Sequence, residues 1–166
     1  MLARYAREGA KARGSKAVIY DLRGNVGGSD SWPRKWIQSF LGTQNSIETS
    51  MLYAQKNSAL FAAENSESLL PEDEGTCFAR EVHGTWYEND IPIIVLVDDH
   101  CGSSGEGAVQ LLKTLDNVLI VGSNTAGYQL CGNISTFTLP YTGIGVRFGS
   151  CLLYTSPSPR DRSVSR

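Results

Sequence analysis

The chain has 166 residues, of which 41% are hydrophobic and 19% are charged, and its 15 basic and 17 acidic side chains give a net charge of −2. This length favours one globular domain, and the near-neutral charge argues against nucleic acid or an anionic membrane as the partner. The longest apolar run, Ile91–Val97, is far shorter than the about 20 residues that cross a bilayer.

The first third of the chain predicts a helix, a strand and a second helix. Apolar and basic residues at helical spacing predict a helix over 2–12, which Gly14 helps to end. Lys16–Leu22 is rich in Val, Ile and Tyr and predicts a buried strand. In Ser29–Leu41 the large apolar residues recur at helical spacing, and Pro33 stands near the start of the predicted helix, where proline is tolerated.

The remainder of the chain predicts further alternation of strands and helices. Residues 42–90 are irregular and polar, with one strand and one short helix expected. After them we expect a buried strand at Pro92–Val97, a helix at about Ser103–Leu115, a short strand at Val118–Val121, and a hairpin from 136–140 and 145–148. This alternation indicates an α/β fold.

Residues 151–166 differ from the rest of the chain, and we therefore divide it into a core, 1–150, and a tail. The Ser-, Pro- and Arg-rich tail resembles a translated sequencing-adapter read, which would be excluded from the fold. The alternative is a natural disordered tail.

The four cysteines are Cys77, Cys101, Cys131 and Cys151. They form no C-x-x-C pair and have no histidine at metal-ligand spacing, which argues against a zinc site. Free or buried thiols are expected, with one disulfide as the alternative.

Two segments far apart in sequence carry the chemistry. Asp21-Leu-Arg-Gly-Asn-Val-Gly-Gly28 and Cys101-Gly-Ser-Ser-Gly-Glu106 each follow an apolar strand, and each leads through a turn of small residues into a predicted helix. Such turns bring backbone N–H groups and a hydroxyl to one point of the surface. Together they predict a site for acyl transfer.

These two turns, followed by the loop Gly122-Ser-Asn-Thr-Ala-Gly127, resemble in order and wording the catalytic core of the tail-specific, or C-terminal processing, serine peptidases. The resemblance extends from about Leu2 to about Ser150. It implies a ClpP-like or crotonase-like layered α/β core, incomplete at its N-terminus, and an endopeptidase that attacks polypeptides through an acyl-enzyme. No metal or organic cofactor is implied, and the location implied is extracytoplasmic. The resemblance does not determine the oligomeric state, whether residues 42–90 form a lid, or whether a PDZ-type module accompanies the core.

The resemblance assigns Ser103 as the nucleophile, three residues before Glu106. The backbone amides of Ser104, Gly27 and Gly28 would hold the oxyanion, and Ser104 is the alternative nucleophile. Ser103-x-x-Glu106 is also the pattern of a capping box, which starts many ordinary helices.

Four further residues are expected to support this site. Asp21, Arg23 and Asn25 would brace the oxyanion turn or act only as turn formers, and Thr125 belongs to the second glycine loop.

Cys101 lacks a positioned histidine and is expected to be a packed residue rather than a nucleophile. The glycines of 24–28 do not match the dinucleotide-binding spacing.

The general base is the missing part of this prediction. Tyr128 stands where the Ser-Lys branch of the family has its lysine, so the chain is more similar to the tricorn-like and retinoid-binding-protein-like branch. There a histidine on an earlier segment serves as base, and it would lie upstream of Leu2. His100 is the local candidate, ahead of His83 and Lys113. The alternative is a catalytically inactive peptide-binding or scaffold member of the same fold.

Overall fold

The computed structural model describes residues 2–57, 72, 74–129 and 131–155. In chain order the elements are α1 (Leu2–Ala12), β1 (Val18–Asp21), α2 (Ser31–Leu41), β2 (Met51–Lys56), β3 (Cys77–Val82), β4 (Ile93–Val97), α3 (Ser104–Leu112), β5 (Val118–Gly122), β6 (Cys131–Thr138) and β7 (Gly145–Thr155). The predicted α/β class is confirmed. The chain divides into two compact units, the first comprising the residues up to Ser50 together with His83–Gln129.

The first unit is built on a three-stranded parallel sheet in the order β1-β4-β5. Val18 pairs with Ile93, and Ile93 pairs with Val118. Because parallel strands bring their carboxyl ends to one edge of the sheet, the turns that follow β1 and β4 lie side by side. This register places the two chemistry-bearing segments next to each other.

Helices cover one face of this sheet and form the core. Tyr20 and Val95 lie on that face, and α2 contributes Trp36, Ile37 and Phe40, all buried. The Trp36 and Phe40 rings stack at 5.2 Å between centroids, and Tyr20 meets Trp36 edge to face at 5.0 Å. Such aromatic pairs contribute about 1 kcal/mol beyond their buried area.

Close backbone approach fixes helices α1 and α2 against each other. A Cβ on Gly9 would lie 2.2 Å from the backbone oxygen of Trp36, so only glycine fits at this crossing. The Arg13 guanidinium donates hydrogen bonds of 2.7 Å to the carbonyl oxygens of Phe40 and Ser39. These bonds satisfy acceptors at the end of α2 that the helix leaves unpaired.

Helix α2 begins two residues later than predicted. The Ser29 hydroxyl accepts a hydrogen bond from the Ser31 backbone N–H at 3.3 Å, and this local turn precedes the helix instead of belonging to it. Helix α3 also ends earlier than predicted, at Leu112.

The second unit is a four-stranded antiparallel sheet in the order β3-β2-β7-β6. The predicted hairpin is confirmed and is longer than expected, since β6 pairs with β7 from Cys131 to Thr138. Strand β7 continues through residue 150 to Thr155, and 156–166 lie outside the described residues. In the excursion at 42–90, β2 and β3 are two strands where one was predicted. Residues 58–71 and 73 lie outside the described residues.

None of the helices within the described ranges has the length and apolarity needed to span a membrane.

Candidate active site

The turns after β1 and β4 are joined by backbone and side-chain hydrogen bonds. The Gly24 N–H donates to the Asp98 carboxylate at 2.9 Å, and the Gly102 N–H donates to the Asn25 carbonyl oxygen at 2.9 Å. The two segments predicted to carry the chemistry therefore meet at one point of the surface, as expected from the parallel pairing of β1 with β4. Ser103 is exposed at this point.

Ser103 has an unusual backbone conformation, with φ 53° and ψ −121°. Residues other than glycine rarely adopt positive φ, and such conformations cost about 1 to 3 kcal/mol each. An ordinary helix N-cap has negative φ in the β region. The Ser103-x-x-Glu106 capping box is present, and the positive φ of Ser103 is in addition typical of the sharp strand-to-helix turn that can present a nucleophile.

Gly27 lies directly against Ser103. A Cβ on Gly27 would stand 2.8 Å from Cβ and 3.2 Å from Oγ of Ser103, and the φ of Gly27 is +124°. Both facts demand glycine at this position. The first turn thus brings its backbone to within contact distance of the Ser103 hydroxyl.

Two amides beside Ser103 are free to bind an anion. The N–H groups of Gly28 and Ser104 make no hydrogen bond to any residue in the described ranges; the first lies in a left-handed turn, and the second in the first turn of α3, where N–H groups lack helical partners. The Gly27 N–H, by contrast, donates to Asn25 Oδ1 at 3.1 Å. Gly28 and Ser104 are therefore the amides available to an oxyanion.

Glu106 connects the turn at Ser103 to the second glycine loop. Its side chain is buried, with 6% exposure, and it accepts four hydrogen bonds. The donors are the backbone N–H groups of Ser103 (3.1 Å), Gly127 (2.8 Å) and Tyr128 (2.8 Å) and the hydroxyl of Thr125 (2.6 Å). A carboxylate has about four acceptor sites, so burial leaves none unpaired.

Tyr128 packs beside Gly102, at the position where the resemblance places a lysine in one branch. A Cβ on Gly102 would lie 3.0 Å from the Tyr128 ring, and the ring is 67% exposed. The tyrosine thus flanks the residue before Ser103.

The histidine and lysine candidates for the base make no hydrogen bond to Ser103. His100 is exposed, and its Nδ1 lies 2.8 Å from Asp99 Oδ1. His83 is also exposed. Lys113 follows the end of α3, about 15 Å along the helix axis from Ser103. Among the described residues, no histidine or lysine side chain hydrogen-bonds to the Ser103 hydroxyl.

Asp21 and Arg23 form a local ion pair at the end of β1. Arg23 donates from Nε at 2.9 Å, from a terminal nitrogen at 2.7 Å and from its backbone N–H at 3.1 Å. These hydrogen bonds lower the pKa of Asp21 to about 2 and raise that of Arg23. Both side chains are exposed, so they brace the turn from outside.

Cys101 is fully buried beneath the site, and a Cβ on Gly105 would lie 3.1 Å from its Sγ. Burial, with smaller contributions from the charges of Glu106 and Asp98, raises the pKa of this thiol to about 11. It is a packed residue, as expected, and Cys77 is a free, exposed thiol.

Asp98 is a site residue that the sequence analysis missed. Its carboxylate accepts the N–H groups of Gly24 and His100 and so braces both turns. A pair of aspartates directly after a buried strand was the available signal. Asp98, Asp99 and His100 also hold ligand atoms within 4.8 Å of one another, but exposed acidic groups of this kind are common without a metal ion.

A cavity of about 620 Å³ opens beside the two free amides. Gly28 and Ser104 are among its lining residues, together with the aromatic residues Tyr20, Trp32 and Trp36. Helix α1 contributes Ala12. This volume is within the range of sites for small ligands.

Comparison with known proteins gives a family match and several structural neighbours. A sequence profile described as peptidase family S41 matches residues 2–156. A search of the curated proteins found no match. Of the solved structures, a lipoprotein from Streptococcus agalactiae is similar at a TM-score of 0.51 and 19% identity; the match covers 93% of this chain and 50% of the lipoprotein chain. A candidate peptidase from Parabacteroides merdae ATCC 43184 is similar at a TM-score of 0.53 and 23% identity; the match covers 92% of this chain and 44% of the peptidase chain.

The photosystem II D1 C-terminal processing protease is similar at a TM-score of 0.53 and 18% identity, covering 93% of this chain and 34% of its own. At identities this low, the similarity to the three structures shows a shared fold alone. The chain spans half or less of the length of these three structures.

Proposed function

The chain belongs to peptidase family S41, and we propose that it carries a serine-type endopeptidase site in which Ser103 forms an acyl-enzyme with polypeptide substrates. The observation that carries this proposal is the backbone of Ser103, held at φ 53° and ψ −121° with Gly27 against its hydroxyl. Backbone strain of this kind persists where the surroundings enforce it, and it clusters at active sites.

In the proposed reaction Ser103 Oγ attacks the carbonyl carbon of a peptide bond while its proton passes to a base. The carbon–nitrogen bond then breaks, the proton goes to the leaving amine, and water hydrolyses the resulting ester and restores the serine. The amides of Gly28 and Ser104 would stabilise the negative oxygen of both tetrahedral intermediates. Losing one such donor typically lowers kcat by about 10² to 10³.

We further propose that the base is not the lysine of the Ser-Lys branch, since Tyr128 stands at that position. This supports the assignment to the tricorn-like and retinoid-binding-protein-like branch. Glu106 and Thr125 position the nucleophile turn and do not touch substrate.

The test is covalent labelling with a fluorophosphonate, followed by mass mapping of the labelled peptide, and cleavage of unstructured casein. Ser103→Ala is expected to abolish both. Ser104→Ala is the matched control, because alanine keeps the backbone amide; it is expected to retain both. Label found on Ser104, or cleavage by Ser103→Ala at the wild-type rate, would contradict the proposal.

A second candidate is a peptide-binding or scaffold protein without hydrolysis. The observation that favours it is the absence, among the described residues, of a histidine or lysine hydrogen-bonded to Ser103. Peptide binding without labelling or cleavage in either form would support this candidate.

A further inference from the structure

The cavity beside Gly28 and Ser104 has the composition of a side-chain pocket. Its lining includes Tyr20, Trp32 and Trp36, of which the first and last are buried. Gly28 and Ser104, whose amides are unpaired, belong to the same lining. A carbonyl oxygen bound by these amides would therefore have the cavity next to its own residue.

The size and the charge of the cavity restrict what it can take. A volume of about 620 Å³ is more than a methyl side chain fills, so a small residue would leave most of the apolar wall in contact with water. The charged residues that line it, Glu8 and Asp21, are both acidic. An acidic side chain would therefore meet like charges without a cation among the lining residues.

Tyr20 belongs to the lining of this cavity. The residue is 7% exposed, and its hydroxyl oxygen is itself buried without a hydrogen-bond partner among the described residues. A group in the cavity would therefore meet the ring of Tyr20, an apolar surface.

We propose that this cavity selects a large apolar side chain, preferably aromatic, on the substrate residue whose carbonyl Ser103 attacks. The proposal rests on the proposed function, because it takes the Gly28 and Ser104 amides as the oxyanion site. It names the residue after which the chain would cut: Phe, Tyr, Trp, Leu or Met, and not Ala, Asp or Glu.

Binding measured on Ser103→Ala tests the pocket without requiring hydrolysis. The probes are acetyl-Ala-Ala-Ala-Phe and the same peptide ending in Ala or Asp, with their free carboxylates as products of cleavage. We expect the Phe peptide to bind at least about tenfold more tightly than the Ala peptide, and the Asp peptide to bind most weakly. Isothermal titration gives the affinities.

A narrowed pocket provides the decisive comparison. Ala12→Leu, added to Ser103→Ala, places a larger side chain in the wall and is expected to reduce the preference for Phe to less than about threefold. Ala10→Leu is the matched control, since Ala10 is exposed on the same helix, and it should keep the preference. If Ala12→Leu does not fold by circular dichroism, Trp32→Ala changes another lining residue with the same expectation.

The outcomes separate this proposal from the proposed function. Equal affinities for the Phe and Ala peptides, no binding, or a preference that neither wall variant changes would overturn the pocket, whether or not casein is cleaved. A Phe preference that Ala12→Leu removes, in a protein whose wild type is neither labelled nor active, would support the pocket and contradict the peptidase.

Discussion

The backbone N–H of Ser103 donates a 3.1 Å hydrogen bond to Oε2 of Glu106, three residues along the chain. The same carboxylate accepts hydrogen bonds from Thr125, Gly127 and Tyr128. One buried group therefore connects the strained turn at Ser103 to a loop about 20 residues further on.

Glu106→Gln is expected to destabilise the protein by about 3 kcal/mol, since the amide NH₂ would face N–H donors with nothing to accept its hydrogens. Urea denaturation measures the change in the free energy of unfolding, and fluorophosphonate labelling of Ser103 should fall with it. Glu8→Gln is the control, because Glu8 is a partly exposed partner of Arg4 and should shift stability by less than about 0.5 kcal/mol. Equal effects of both variants would contradict the role given to Glu106.

Gly27→Ala is expected to abolish labelling of Ser103, because the new Cβ would stand 2.8 Å from Ser103 Cβ at a φ that alanine avoids. Gly24→Ala is the control: Gly24 also has positive φ, but nothing lies within 4 Å of its Cβ position. It should cost about 1 kcal/mol of stability and keep labelling. Retained labelling in Gly27→Ala would mean that the contact is relieved without cost to the site.

His100→Gln is expected to leave labelling and any casein cleavage within about twofold of wild type. The imidazole is exposed, pairs with Asp99 and makes no hydrogen bond to Ser103. Removing a general base lowers the rate by about 10² to 10⁴. A loss of that size, together with loss of the acidic limb of the pH–rate profile, would instead identify His100 as the base.

The Tyr20 hydroxyl is buried without a partner, so Tyr20→Phe should leave the free energy of unfolding unchanged or raise it by about 1 kcal/mol. Tyr87→Phe is the matched comparison, because the Tyr87 hydroxyl donates to the Ser46 carbonyl oxygen at 3.2 Å; this variant should lose about 1 kcal/mol. Urea denaturation of both variants checks the pair. A larger loss for Tyr20→Phe would show that its hydroxyl is satisfied in solution.

Local patterns predicted the elements of the first unit well. The bounds of α1 agree with the prediction, and β1, β4 and β5 lie within a residue or two of theirs, because apolar periodicity reflects which side chains are buried. The turn residues of 21–28 and 101–106 likewise predicted two adjoining turns. That Ser103, Gly27 and Gly28 meet follows from the parallel pairing of β1 with β4.

Long-range contacts could not be predicted in the same way. The hydrogen bond from the Gly102 N–H to the Asn25 carbonyl oxygen joins residues 77 positions apart, and it depends on the register of two strands. The cavity likewise requires α1, α2 and β1 to pack at particular distances. Asp98 was missed because its role is to accept the Gly24 N–H from another turn, and the pair of aspartates after the strand does not specify that partner.

Cys101 predicts a specific dependence of stability on pH. Burial raises the pKa of its thiol from about 9 to about 11, so above pH 9 the unfolded chain loses a proton that the folded chain keeps. The resulting stability is therefore present below pH 9 and is lost as the pH rises towards 11. Cys101→Ala should lower the decline in unfolding free energy between pH 8.5 and 10.5 by about 1 to 3 kcal/mol relative to wild type, measured by urea denaturation.

A brief pulse of iodoacetamide at pH 8.5 should label the exposed Cys77 and spare Cys101. Rapid native labelling of Cys101, or the same pH dependence in both proteins, would contradict a neutral buried thiol beneath Ser103.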